Sequence, residues 1–257
     1  MSLILTPLVG IPLIRRGDNL ADILVKSLTE SDISIQDHDI LVIAQKIVSK
    51  AEGRAVNLNT VLPSQRAQEL AKQTDKDPRF VELVLQESKE VLRTRVGVII
   101  VEHKLGFVCA NAGIDHSNVG SSNEFRRSEE YVLLLPENPD QSAQTLRKQI
   151  EEKTSKHIGI LIIDSHGRAW RNGTVGIAIG ISGLPGLEDL HGNPDLFGYK
   201  LQVTQVGVAD ELAAAASLVM GQANEGTPVV HVRGFPYPLR EGSLKELIRP
   251  KEQDMFR

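Results

Sequence analysis

A five-residue segment beyond the middle of the chain brings together a carboxylate, a hydroxyl, an imidazole and a guanidinium: Asp164-Ser165-His166-Gly167-Arg168. The apolar, isoleucine-rich run at residues 158–163 precedes it and predicts a strand that is buried on both faces. In open α/β sheets, ligands bind outside the carboxyl ends of the strands. We therefore predict that the segment is a loop at a functional site, and that Asp164 is its first candidate for chemistry.

Two further polar clusters follow predicted apolar strands: Gln45, Lys46, Ser49 and Lys50 in one, Asp115 and Asn118 in the other. Asp115 and Asp164 are distant in sequence, and we expect them to converge in space. Two carboxylates and the Ser165 hydroxyl suit Mg²⁺ or Mn²⁺, because these ions prefer oxygen ligands and retain waters and phosphate oxygens. Lys46, Lys50 and Arg168 would then neutralise phosphate charge around the ion.

Each of these residue types also has an ordinary structural role. An Asp after a strand is often a turn former or a helix cap, and lysines near residue 50 are often part of a solvated face. His116 and His166 fit a supporting or surface position better than a ligand position. Cys109, which stands between apolar residues, is predicted to lie in the core.

The composition disfavours several classes of protein. The chain has 257 residues, enough for one large domain or two small ones, and its net charge of −4 disfavours a nucleic-acid binder. A single cysteine excludes an intramolecular disulfide, and the cytoplasm is the predicted compartment. No apolar run reaches the roughly 18 residues that a membrane-spanning helix needs. We therefore expect neither nucleic acid nor a membrane among the partners.

Four widespread motifs of catalysis and nucleotide binding are absent from the sequence. There is no Walker A loop, no Gly-x-Gly-x-x-Gly turn between a strand and a helix, no Gly-x-Ser-x-Gly elbow and no His-Glu-x-x-His pair. The residues taken alone thus predict an α/β protein with a site for an anionic ligand and a divalent metal ion.

The succession of helical and strand-like patterns predicts a mixed α/β fold without a regular βαβ repeat. The patterns predict helices at 64–73, 139–153 and 210–220, and strands at 173–181, 201–209 and 229–233. Asp210 is placed to cap the last helix. Residues 120–130 are polar and charged, and they predict a disordered insertion.

Seven blocks of sequence resemble, in the same order, the coenzyme F420-0:L-glutamate ligase (γ-glutamyl ligase) family. They are Gly10–Ile14, Asp39–Arg54, Val108–Val119, Asp164–Arg171, Gly176–Gly183, Val208–Asp210 and Val219–Gln222. The blocks extend over nearly the whole chain, which makes the resemblance far more specific than any single motif.

The resemblance implies an activity and an architecture. The family uses GTP and a divalent metal to join L-glutamate to the lactyl-phosphate arm of coenzyme F420-0, and then adds further γ-linked glutamates. We expect the reaction to pass through an acyl phosphate. The implied fold is mixed α/β in two interleaved lobes, as a single ligase unit over residues 1–257 without a nitroreductase-like domain. The implied assembly is an intertwined homodimer.

The resemblance also assigns site residues and cofactors. The family's metal ligands match Asp115, Asp164, Ser165 and Gln222. Its nucleotide contacts match Ile11, Pro12, Leu13, Ile14, Gln45, Lys46, Lys50 and Asn118. Lys50 and Arg168 are the predicted catalytic residues. The expected cofactors are two Mg²⁺ or Mn²⁺ ions and a monovalent cation, with GTP as co-substrate.

Two other functions fit the same polar clusters. One is a metal-dependent hydrolase of a phosphorylated small molecule, and the other is a nucleotide-binding dimer without catalysis. Glutamate-independent phosphate release would identify the first, and GTP binding without turnover would identify the second.

Overall fold

A five-stranded mixed sheet forms the centre of the structure, a computed structural model that describes residues 2–119 and 130–255. In order across the sheet, the strands are β1 (Ile4–Pro7), β12 (Val229–Arg233), β2 (Ile40–Ala44), β8 (Gly159–Arg168) and β9 (Arg171–Ser182). The pair β2 and β8 is parallel, and the other neighbouring pairs are antiparallel. The carboxyl ends of β2 and β8 therefore lie at the same edge.

Helices cover both faces of this sheet, so the main core has three layers. The helices are α1 (Leu20–Glu30), α2 (Gln45–Ala51), α5 (Pro139–Thr154) and α6 (Val208–Met220). Alternate residues of β8 point to opposite faces. Ile160 and Ile162 pack in the core formed with α1, α2 and α5, whereas Leu161 and Ile163 pack in the core formed with α6. The prediction of a strand buried on both faces is confirmed.

A separate core, away from the two faces of the five-stranded sheet, lies within residues 55–134, between α2 and α5 in the chain. Its elements are β3 (Ala55–Asn57), α3 (Gln65–Thr74), α4 (Pro78–Gln86), β4 (Ser88–Arg95), β5 (Val98–His103), β6 (Val108–Ala110) and β7 (Tyr131–Leu133). Strands β4, β5 and β6 form one antiparallel sheet, and β3 pairs with β7. Phe107 packs against both this core and the core on the α1, α2 and α5 face. The mixed α/β class is confirmed, while the intertwined dimer remains a prediction.

The polar segment that follows the apolar run is strand, so the predicted loop is wrong. Ala44, the last residue of β2, pairs with Ile163, whereas β9 continues to pair with β8 as far as Arg168. Residues 164–177 therefore form a two-stranded ribbon that extends past β2, here called the β8–β9 ribbon. The ribbon places Asp164 directly beyond the end of β2.

The predicted strand at 201–209 is also wrong. Only β11 (Gln205–Val206) is strand there, paired with β10 (Glu188–Asp189), and α6 already begins at Val208. Val208 and Ala209 are buried together with Leu212, Ala213 and Ala216, which is a helical spacing that the moderate alternation of the sequence concealed. Asp210 does not cap α6: Gly207 stands at the N-cap, and Asp210 Oδ1 accepts the backbone N–H of Ala178 at 2.9 Å.

Several other predictions are confirmed to within a few residues. The helices at 64–73 and 139–153 correspond to α3 and α5, and the strands at 173–181 and 229–233 to β9 and β12. Cys109 is buried, as expected. Residues 120–129 of the predicted insertion lie outside the described residues. No helix in the described part of the chain is long and apolar enough to cross a membrane.

The close contact between β9 and α6 gives a test of the fold. A Cβ at Gly176 would lie 2.5 Å from Ser217 Cβ and 2.6 Å from the Ala213 carbonyl oxygen. Gly176→Ala is therefore expected to lower the free energy of unfolding by about 1–3 kcal/mol in urea denaturation. Gly167→Ala on the same ribbon, where a Cβ meets nothing within 4 Å, should change it by less than about 0.5 kcal/mol. Equal losses in the two variants would contradict this packing.

Candidate active site

A cavity of about 470 Å³ opens where β2 and β8 end. Its wall combines five segments: residues 11–14, the start of α2, Asn118, residues 163–165 of β8, and the end of α6 with the loop that follows it to residue 228. A partly apolar cavity with a few polar groups at the carboxyl ends of strands is the usual form of a ligand site in α/β proteins. The polar clusters identified in the sequence therefore meet at one edge of the sheet.

The first turn of α2 contains a fixed amide. Gln45 is buried, its Nε2 donates to Asp115 Oδ2 at 2.7 Å, and its Oε1 accepts from Ser49 Oγ at 2.8 Å. Residues four apart lie on one face of a helix, so α2 itself orients the amide. Asp115 is further held by paired backbone hydrogen bonds with Leu133, of 3.0 and 2.9 Å.

The negative charge of Asp115 is only partly compensated by its surroundings. Burial and the nearby negative charge of Asp164 raise the pKa of Asp115 to about 6, although Lys46 and Gln45 oppose the rise. Lys46 Nζ lies 3.5 Å from Asp115 Oδ1. A partly buried carboxylate whose ionisation is opposed by burial and by a second carboxylate is a favourable environment for a divalent cation.

A hydroxyl and an amide oxygen lie on the other side of β8. Ser165 Oγ donates to Gln222 Oε1 at 2.7 Å, and Gln222 Nε2 donates to Ser217 Oγ at 2.8 Å. The side chain of Gln222 is thus oriented by α6 so that its oxygen faces Ser165. Both residues line the cavity.

The opposite part of the wall is cationic. Lys46 and Lys50 both line the cavity, and burial together with the positive charge of Lys46 lowers the pKa of Lys50. Asn118 Nδ2 donates to the Ala223 carbonyl oxygen at 3.2 Å, which joins the Asp115 loop to the loop after α6. Two lysines brought together at a cavity favour an anionic ligand such as phosphate.

The segment 11–14 contributes mainly backbone and apolar surface to the cavity. Ile14 is buried in the core on the α1, α2 and α5 face, whereas the side chain of Leu13 is exposed. The structure thus brings all eight predicted nucleotide contacts to the cavity wall, together with Asp164, Ser165 and Gln222. Their roles remain predictions.

Two predicted site residues do not line this cavity. Asp115 lies behind Gln45 and Lys46 and reaches the site through them. Arg168 lies four residues farther along the β8–β9 ribbon, where its Nη2 donates to the Asn172 carbonyl oxygen at 3.4 Å. The buried Nη1 of Arg168 has no hydrogen-bond partner among the described residues.

The donor set fits a hard divalent ion that keeps ligands from solvent or substrate. No group of three or more His, Cys, Asp or Glu side chains that could hold a metal occurs within residues 2–119 and 130–255. The predicted set instead offers two carboxylates, one hydroxyl and one amide oxygen. Mg²⁺ is commonly held by one or two carboxylates together with waters and substrate phosphates.

Sequence reasoning placed Ser49 in a polar cluster without assigning it the role of orienting Gln45, and it did not single out Ser217. Ser49 stands four residues after Gln45, a spacing that marks one helix face and offered a usable signal. Ser217 offered no signal, because its contact with Gln222 depends on the turn that ends α6. His166 was predicted to be a supporting or surface residue, and the structure shows it buried beside Asp164.

Because the pKa of Asp115 is raised, replacing its carboxyl with a neutral group should increase the free energy of unfolding. Asp115→Asn should stabilise the metal-free protein at pH 8 by about 1–3 kcal/mol, because ionisation of this carboxyl opposes folding. The gain is present above a pH of about 6 and disappears as the pH falls from there towards 3.8, since the folded wild type then binds the proton. Urea unfolding with a chelator at pH 8 and pH 5 measures both values.

Asp37→Asn is the matched control for this prediction. The backbone N–H of His157 lowers the pKa of Asp37, so its ionised form favours folding and its neutralisation should bring no gain at pH 8. Destabilisation of the metal-free protein by Asp115→Asn at pH 8 would contradict the electrostatic account.

Comparison with known proteins confirms the resemblance found in the sequence. The model of the family F420-0:Gamma-glutamyl ligase matches residues 9–234. "Coenzyme F420:L-glutamate ligase" of Methanocaldococcus jannaschii is 45% identical over 249 residues, which cover 96% of this chain and 94% of that protein. The relative of the same name from Methanothermobacter thermautotrophicus is 45% identical over 259 residues and 100% of both chains. That from Methanococcus maripaludis is 48% identical over 227 residues, 88% of each chain. The chain therefore belongs to the F420-0:Gamma-glutamyl ligase family.

Proposed function

We propose that this protein is a GTP- and divalent-metal-dependent ligase that adds L-glutamate to coenzyme F420-0 and then adds further γ-linked glutamates. The family match and the names of its relatives support the acceptor and the amino acid. The proposal that the protein binds a nucleotide and a metal rests on the wall of one cavity, where Lys46 and Lys50 lie with Asp164, Ser165 and Gln222. A metal-bound triphosphate requires both cationic groups and oxygen donors.

The chemistry explains why a nucleotide is needed. A carboxylate is a poor electrophile, so an amide does not form from it directly. Transfer of the γ-phosphoryl group of GTP to the lactyl carboxylate releases GDP and gives an acyl phosphate. The glutamate amine then attacks the carbonyl carbon, phosphate leaves with the bonding electrons, and the nitrogen loses a proton. Positioning and charge neutralisation are the main contributions that a protein makes to such a transfer.

The proposed roles follow the geometry. Lys46 and Lys50 hold phosphate oxygens, and the backbone of residues 11–14, Gln45 and Asn118 positions the nucleotide. Asp164, Ser165 and Gln222, which line the cavity, would hold the divalent ions together with Asp115, which lies behind Gln45 and Lys46. When bound, these ions supply positive charge to the phosphate oxygens. Gln45 links the two sets of residues, because it lines the cavity and donates to Asp115.

Arg168 is proposed to bind a carboxylate of the substrates outside the nucleotide cavity. Its position on the β8–β9 ribbon and the lack of a hydrogen-bond partner for Nη1 among the described residues support this role. A guanidinium suits a planar carboxylate, because it can donate two parallel hydrogen bonds.

A glutamate-addition assay read by mass spectrometry tests the proposal. Purified protein is incubated with coenzyme F420-0, L-glutamate, GTP and Mn²⁺ or Mg²⁺, with and without K⁺. We expect a product heavier by one or more glutamyl residues, with one GDP formed for each glutamate added. GDP without the product would identify a hydrolase, and GTP binding without any GDP would identify a non-catalytic nucleotide-binding protein. Either result would overturn the proposed function.

Asp164→Asn tests the proposed metal role at nearly constant side-chain volume. We expect ligation to fall by about 10²-fold or more, because the variant removes one of two negative charges that hold the ion. Thermal melting should show that the fold is kept. Asp37→Asn, at the opposite end of the sheet, is the control and should ligate like the wild type. Ligation by Asp164→Asn at the wild-type rate would defeat the metal assignment.

We also propose that the protein forms a homodimer, and an exposed hairpin supports a contact between copies. The hairpin of residues 188–206 contains Leu196, Phe197 and Val203 with exposed fractions of 97%, 94% and 89%. Clustered exposed apolar side chains are characteristic of association surfaces. In a twofold dimer, packing of this hairpin against the other copy would bury these three side chains.

Light scattering after size exclusion tests this assembly. The wild type should have twice the 28.2 kDa mass of one chain, and Leu196→Asp combined with Phe197→Asp should shift it to the monomer, because two buried charges would oppose association. Val96→Asp is the control, since Val96 is also exposed but lies between β4 and β5. A monomeric wild type would contradict the proposal.

A further inference from the structure

His166 lies beside the candidate metal site without lining the cavity. It follows Asp164 by two residues in β8, so the two side chains point to the same face of the strand. His166 Nε2 lies 3.0 Å from Asp164 Oδ2, within hydrogen-bond distance. The side chain of His166 is only 7% exposed, so water does not compete freely for this contact.

Aromatic packing confines the imidazole ring. The ring of Phe107 lies 5.2 Å from that of His166, tilted by 58°, and its own position is fixed by its contacts with two of the cores. Behind Phe107, the ring of His103 stacks at 5.2 Å with an angle of 9°. His103 is held in turn, because its Nδ1 accepts the backbone N–H of Leu105 at 3.0 Å. His166 therefore packs against Phe107 on one side and forms a hydrogen bond with Asp164, a candidate metal ligand, on the other.

The contact restricts what Asp164 can offer to the cavity. Its side chain has two oxygens, and the hydrogen bond from His166 occupies Oδ2. Asp164 lines the cavity, and Oδ1 is the oxygen that His166 leaves unengaged. A carboxylate held in this way loses less rotational freedom when it binds an ion, and hydrogen bonds to metal-ligating carboxylates raise metal affinity.

We propose that His166 is a positioning residue that fixes the rotamer of Asp164 and directs Oδ1 towards the divalent ion. This inference rests on the proposed metal role of Asp164. His166 acts through Asp164 and contacts neither nucleotide nor metal. The role requires a donor at the place of Nε2, and it does not require a charge on the ring.

Two substitutions separate the hydrogen bond from the packing. His166→Phe keeps an aromatic ring against Phe107 and removes the donor. His166→Gln places an amide N–H where Nε2 stood and removes the ring. His103→Phe is the matched control, because it changes the opposite face of Phe107 and leaves the contact with Asp164 intact.

The readout is Mn²⁺ affinity, measured by electron paramagnetic resonance on the substrate-free protein, together with the melting temperature. We expect His166→Phe to weaken Mn²⁺ binding about 10–100-fold, the range found for such supporting contacts. His166→Gln and His103→Phe should stay within about threefold of the wild type. Asp164→Asn is included as the variant that lacks the site.

The outcomes distinguish this inference from the metal proposal itself. If Asp164→Asn abolishes binding while His166→Phe binds like the wild type, the metal site stands and the positioning role is overturned. If His166→Gln or His103→Phe loses as much affinity as His166→Phe, packing is responsible and the inference also fails. A wild type that binds no Mn²⁺ overturns both proposals.

Discussion

The parallel pairing of β2 with β8 is the constraint on which the site depends. This pairing ends at Ala44 and Ile163, and beyond that point β8 pairs only with β9. The chain beyond β2 turns at once into α2, which directs Gln45 and two lysines to the same edge. A parallel pair brings two carboxyl ends together, so residues far apart in sequence meet there without a dedicated loop. The position of the cavity follows from this one pairing.

The electrostatics of the site oppose the stability of the fold. Asp115 is partly buried near a second carboxylate, and Lys50 is partly buried near another lysine, so each group is harder to ionise than in water. Such arrangements persist where a ligand compensates the charge. A metal bound to a triphosphate carries both signs of charge: its cation complements the carboxylates, and its phosphates complement the lysines. The protein thus contains two unfavourable pairs of like charges, which a single metal–triphosphate complex would compensate.

Local patterns predicted the central elements well, and contacts between distant residues explain the failures. The apolar run at 158–163 needs burial on both faces wherever it lies, so its strand was predictable. The continuation of β8 through Asp164 was not, because it depends on β9, whose pairing no local signal reveals. Asp210 looked like a helix cap, but it binds the backbone of Ala178 across the sheet. The polar residues at the strand ends were found from the pattern alone, residues 11–14 and Gln222 came from the family blocks, and the contact between Ser217 and Gln222 required the structure.

A crystal structure with Mn²⁺ and a non-hydrolysable GTP analogue tests the central claim most directly, because anomalous scattering locates Mn²⁺ independently of its neighbours. We expect an anomalous peak within bonding distance of Asp164 and of a phosphate oxygen, with Lys46 and Lys50 against the phosphates. An analogue bound with its phosphates away from these lysines, or a Mn²⁺ ion held by other residues, would contradict the account.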